Sequence, residues 1–133
     1  MAQLYKDFFV IQPAVATLAS GATSAVTTLI PANADFLLEK LAYQADTAGA
    51  AQTASSRVYP LVTCQITWGN GENLFSAAVP ITSVFGNGEN PFILPAPRVM
   101  AANSSIQIQL TNFDAAATYN IRLSLIGSQL KYR

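Results

Sequence analysis

Hydrophobic and polar positions alternate with a period of two through much of this chain. Ile106, Ile108 and Leu110 alternate with Gln107 and Gln109, and Tyr119, Ile121, Leu123 and Leu125 alternate with Asn120, Arg122 and Ser124. Such a period puts one set of side chains on a buried sheet face and the other in solvent. Val62, Cys64, Ile66 and Trp68 form a third apolar set, opposite Thr63, Gln65 and Thr67. Phe8 to Leu18 and Ala25 to Ile30 are rich in β-branched residues and predict two further strands. Between these runs lie Ser20-Gly21, Pro31-Ala32-Asn33, Ala102-Asn103-Ser104 and Asn112-Phe113-Asp114, all residue types that favour turns.

Residues 36–45 carry two periods at once. On a helix, Leu37, Leu38, Leu41 and Ala45 share a face. On a strand, Leu37, Leu41, Tyr43 and Ala45 share one, interrupted by Glu39. Propensity favours helix, but the strands around the segment and its Pro31 to Asp35 lead-in favour strand, which is the reading adopted. The small, polar stretch from Thr47 to Ser56 has no period and predicts a surface loop. About eight short strands separated by turns predict a single-domain, all-β jelly-roll sandwich. Residues 1–9 are a candidate extended N-terminal arm, and 128–133 a C-terminal tail.

Composition changes the picture at the surface. Of the 133 residues, 51% are hydrophobic and only 11% charged, against about 25% charged in an ordinary globular domain. A surface this poor in charge is either neutral and polar or covered by other chains. Seven basic and seven acidic residues cancel, so no basic stripe exists to bind nucleic acid. No run reaches the roughly 20 apolar residues of a membrane-spanning helix, and the N-terminus predicts no signal peptide. The lone Cys64 has no disulfide partner, which suits a chain made in a reducing cytoplasm.

One motif occurs twice. Trp68-Gly69-Asn70-Gly71-Glu72-Asn73-Leu74-Phe75 is echoed 17 residues later by Phe85-Gly86-Asn87-Gly88-Glu89-Asn90-Pro91-Phe92. Asn-Gly supplies the positive backbone angles of a tight hairpin, with aromatic residues anchoring the strand ends. Leu74 and Pro91 stand where a dinucleotide fingerprint needs its third glycine, and one carboxylate per copy is too few for calcium. With no histidine and one cysteine, Ser-His-Asp catalysis and the usual zinc or iron sites have no ligands to use. A Glu72 and Glu89 pair is the sole acid and base candidate for sugar chemistry. The expectation is a protein that is not an enzyme, with no cofactor and no metal.

Residues 85–127 carry a further signal. Phe85 to Pro97, with its Gly-Glu-x-Pro-Phe turn, leads into Ala102-Asn103-Ser104, an alternating strand ending in Thr111-Asn112, and Tyr119-x-x-x-Leu123-x-Leu125-x-Gly127. This order, over about a third of the chain, resembles the capsid cement, or decoration, proteins of tailed bacteriophages. It is similar to that of Bordetella-infecting short-tailed phages. The resemblance implies a jelly roll on the outer surface of an icosahedral virion, made in the bacterial host cytoplasm. It would clamp neighbouring major capsid protein subunits, often as a homodimer or other homo-oligomer. Candidate interface residues are Tyr5, Phe8, Phe9, Trp68, Phe85, Lys131, Tyr132 and Arg133, since exposed aromatic residues anchor interfaces. The alternative is a glycan-binding jelly roll of a phage tail, fibre or baseplate, with Trp68 stacking on a sugar beside Asn70, Glu72 and Asn73.

Overall fold

In the computed structural model, the alternating segments become two antiparallel sheets packed face to face. The structure describes residues 3–47, 60–69, 71–87 and 90–132. Sheet A runs in the order β1 (Leu4–Ile11), β10 (Tyr119–Tyr132), β4 (Asp35–Thr47), β8 (Phe92–Met100). Strand β2 (Ala16–Leu18) continues β1 along the same side of β10. Sheet B runs β3 (Thr23–Leu29), β9 (Ser105–Asn112), β5 (Val62–Trp68), then two short pieces, β6 (Glu72–Asn73) and β7 (Val79–Pro80). A single helical turn, α1 (Ile81–Val84), follows β7. Counting β1 with β2 and β6 with β7 as broken strands leaves eight, paired 1-8-3-6 and 2-7-4-5. That is the connectivity of a jelly roll, as the strand pattern predicts.

The three strands with unbroken alternation bury the residues their period assigns. Val62, Cys64, Ile66 and Trp68 meet Ile106, Ile108 and Leu110 within sheet B, and all face Tyr119, Ile121, Leu123 and Leu125 of sheet A. Each fully buried Leu or Ile contributes about 1.5–3 kcal/mol of transfer free energy, so this interior dominates the stability.

Segment 36–45 is strand, but its inward face differs from the expected one. Phe36 and Leu38 point into the core rather than Leu37, and Leu41 and Ala45 follow on the same side. The cause is a β-bulge: Ile126 pairs with Lys40 but Gly127 with Leu38, leaving Glu39 as an extra residue. An inserted residue inverts the face assignment of everything beyond it. Glycine at 127 makes the bulge sterically feasible, because a Cβ there would overlap the Leu37 carbonyl.

Three other expectations need correction. Phe8 to Leu18 is not one strand: Pro13 has no N–H for the ladder, and the chain breaks between Ile11 and Ala16. The candidate N-terminal arm is instead the edge strand of the domain's own sheet, pairing Leu4 with Tyr132 through Ile11 with Leu125. The C-terminal tail is likewise strand, since β10 continues to Tyr132. The loop expected from Thr47 to Ser56 lies, beyond Thr47, outside the described residues. No helix among the described residues is long and apolar enough to cross a membrane.

One buried amide ties the loops at one end of the sandwich. The Asn112 side-chain nitrogen lies 3.1, 3.2 and 2.9 Å from the carbonyls of Leu18, Ala19 and Ala117. Its oxygen accepts the Asp114 N–H at 2.9 Å. The Asp114 carboxylate in turn accepts from the Tyr119 hydroxyl at 2.6 Å and from the N–H groups of Ala116 and Ala117. These bonds, that of Tyr119 foremost, hold the Asp114 carboxyl below its ordinary pKa, and the same bond raises that of the Tyr119 phenol.

Two predictions follow from this packing. Gly127→Ala forces a side chain into a backbone carbonyl and should cost about 3 kcal/mol, read as a lower urea midpoint at unchanged slope. Because the folded pKa of Asp114 is depressed, its contribution is full above the unfolded value of about 4 and is lost as pH falls through the folded value. Urea midpoints taken from neutral pH down into that window should therefore fall more steeply for the native chain than for Asp114→Asn.

Candidate interaction surface

The bulge that turns Phe36 and Leu38 inward leaves Leu37 on the outer face of sheet A. Strand register extends that position across the sheet: Phe8, Ser128, Leu37 and Val99 form one row. Val10, Ile126, Lys40 and Ile93 form the next, and Lys6, Leu130 and Asp35 flank the first on its other side. Leu4 and Tyr132 close the array. Phe8 is 78% exposed, Tyr132 73%, Ile93 66% and Val99 55%. Four strands thus present neighbouring apolar side chains to solvent, a contiguous arrangement that scattered surface hydrophobes do not produce.

The opposite end of the same face is polar. Thr17 donates to Asn120 at 2.8 Å, Ser124 to Gln12 at 2.7 Å, and Arg122 pairs with Asp46 at 3.0 Å. Asp46 is buried, and its second oxygen has no hydrogen-bond partner. Around the apolar half, polar groups are tied locally: the Ser128 hydroxyl donates to Glu39, and the Asp35 carboxylate accepts the Ala102 N–H. A shallow depression of about 590 Å³ opens beside Tyr132, between Asn33, Asp35 and Leu130.

Among the sequence candidates, Tyr5, Phe8 and Tyr132 are exposed, and only Phe8 and Tyr132 lie on these outer rows. Phe9 points inward, its ring edge-on to Phe36 at 6.3 Å. Lys131 pairs with Asp7 at 3.6 Å. Trp68 and Phe85 are corrections: at 6% and 3% exposure both belong to the core, so neither offers a surface to a partner or a stacking face to a sugar. Trp68 ends an inward-facing alternation, and Phe85 closes α1, donating its N–H to Ile81. Arg133 lies outside the described residues.

The repeated motif does two different jobs. In the first copy, Gly69 and Gly71 take φ of +57° and +88°, and Trp68 pairs with Glu72, so this copy is the expected hairpin. Asn73 accepts from Thr67, and Gln65 stitches the following Phe75 backbone to β5. The described residues of the second copy are placed differently. Gly86 lies beside Ala42, donating to the Leu41 carbonyl and accepting from Tyr43 N–H, where β8 has left the β4 edge. Glycine is needed there because a Cβ would collide with the Asn90 and Phe92 backbones. Asn87 accepts the Asn90 N–H at 2.7 Å. Asn70, Gly88 and Glu89 lie outside the described residues.

The residues that alternation missed are Leu4, Val10, Leu37, Ile93, Val99, Ile126 and Leu130. For five of these positions the signal was present as doubled apolar residues: Val10-Ile11, Leu37-Leu38, Ile93-Leu94, Val99-Met100 and Leu125-Ile126. In each pair one residue faces the core and the other faces out. No family model, curated protein or solved structure matches this chain.

Cys64 is fully buried, and burial pushes its thiol up to about 12. With almost no thiolate at neutral pH, the folded protein should resist iodoacetamide at pH 8. The same cysteine should alkylate at the rate of a free thiol once urea unfolds the chain.

Proposed function

We propose that this protein is a structural component of a phage particle, a capsid cement that docks through the outer face of sheet A. The observation carrying this reading is the contiguous apolar array of Phe8, Val10, Leu37, Ile93, Val99 and Ile126, held on four rigid strands. A desolvated apolar centre with a polar surround is the anatomy of a protein interface. Here Lys6, Asp35 and Glu39 stand around the array, and Lys40 lies within it between Ile126 and Ile93. The scarcity of charge and the resemblance of residues 85–127 to capsid cement proteins support the same reading. Cement proteins need no reaction chemistry: many copies with modest contacts reinforce a shell through multivalency.

The test uses virus particles from the source, stripped of this protein by mild denaturant and then given it back. The native chain should rebind at a copy number comparable to the major capsid protein and raise the temperature at which shells rupture. Phe8→Ser with Ile93→Ser, both exposed positions, should fold normally and fail to rebind. Absence of the protein from particles, or no shift in rupture temperature at saturation, would overturn the reading.

A further inference from the structure

A sheet edge exposes unpaired backbone groups, and proteins guard such edges with charge, proline, bulges or brevity. Among the described residues, three of the four sheet edges are guarded. Strand β8 carries Pro95 and Pro97, which offer no N–H, and its register with β4 jumps between Arg98 and Ile93. On sheet B the far edge is broken into β6 and β7, of two residues each. Strand β1 places Lys6 and Asp7 side by side.

Strand β3 has none of these devices. Thr23–Leu29 reads Thr-Ser-Ala-Val-Thr-Thr-Leu, without charge, proline or glycine, and pairs with β9 in unbroken register over seven residues. The direction of its backbone is fixed by the bonds at either end. Ile30 donates to the Ser104 carbonyl and Ala22 accepts from Asn112, so even-numbered residues bond towards β9. By the alternation of antiparallel ladders, Thr23, Ala25, Thr27 and Leu29 aim their N–H and C=O groups outward.

We propose that this edge pairs with the β3 edge of a second copy of this chain, antiparallel about a two-fold axis normal to sheet B. The register that uses the whole strand sets Val26 against Val26 of the second copy. It exchanges hydrogen bonds between Ala25 and Thr27 and between Thr23 and Leu29, on both sides of the axis. The strand is its own complement in three respects. It has no charge to repel its copy, its donors and acceptors fall in matching positions, and Ser24 meets Thr28 as a hydroxyl pair. Val26, half-buried against the core, gains the facing Val26 in the close, non-hydrogen-bonded position. An isologous contact of this kind closes at two chains and leaves no further edge of the same type to recruit a third. The two copies then share one sheet eight strands wide, since sheet B contributes four positions from each.

The inference does not rest on the capsid reading, and its test uses the free protein alone. Light scattering should give about twice the 14.1 kDa chain mass. In amide exchange, residues 23, 25, 27 and 29 should be protected at high protein concentration and lose protection on dilution. Even-numbered neighbours should stay protected throughout. Ala25→Pro, which removes an outward N–H without touching the β9 ladder, should give a monomer with a near-native melting profile. A monomer across the soluble concentration range would overturn the proposal. So would a dimer whose four odd-numbered amides exchange freely, a result readable on the native chain even if the proline variant fails to fold.

Discussion

The arrangement of sheet A depends on the close approach of Gly127 to the Leu37 carbonyl. That contact accommodates Glu39 as an extra residue in β4 and inverts the facing of the strand at its midpoint. Without the inversion, Phe36 and Leu38 could not share the interior with Leu41 and Ala45. One half of a 13-residue strand would present its apolar side chains to water. The same inversion places Leu37 outside, in line with Phe8 and Val99. The core and the outer apolar array are therefore two products of one local irregularity.

How much could be read from the chain follows from where such irregularities fall. Strands β5, β9 and the first half of β10 keep strict alternation, and their buried residues are those their period predicts. Strand β4 was ambiguous for a physical reason: the bulge puts Leu38 and Leu41, three positions apart, on one face, which is a helical spacing. Pro13 marked the break between β1 and β2, but a β-branched run on either side concealed it. The second half of β10 was legible only as a tail because Ile126 and Leu130 fall on the polar side of its period. The two copies of Gly-Asn-Gly-Glu-Asn share letters but not context: one bridges neighbouring strands, while the other follows a helical turn and fills the gap that β8 leaves. Local turn chemistry specifies the first and tertiary packing the second.

The surface divides its labour in a way the overall composition only hints at. One end of the outer face of sheet A is tied up in side-chain pairs, among them a buried ion pair between Asp46 and Arg122 whose carboxylate keeps one oxygen unsatisfied. Such a pair is a weak source of net stability, because desolvation offsets much of its attraction. The other end is apolar and unencumbered. Low charge is thus concentrated in effect: it leaves one patch and one sheet edge bare, while proline, broken strands and a Lys-Asp step occupy the remaining edges.

Strand β10 takes β1 and β2 on one side and β4 on the other, so β1 and β2 find their hydrogen-bonding partner, and β4 its second, only in the last strand of the fold. During synthesis the chain emerges in the opposite order to that dependence. Sheet B can pair once β9 has left the ribosome, whereas sheet A has no centre until residues 119–132 follow. Contacts of such long sequence separation fold slowly, and until they form, Phe36, Leu38 and Leu41 belong to a sheet that lacks its β10 strand. The half-made domain is therefore a hydrophobic surface waiting for one strand. Closure of its core waits on the 71 residues that separate the end of β4 from the start of β10.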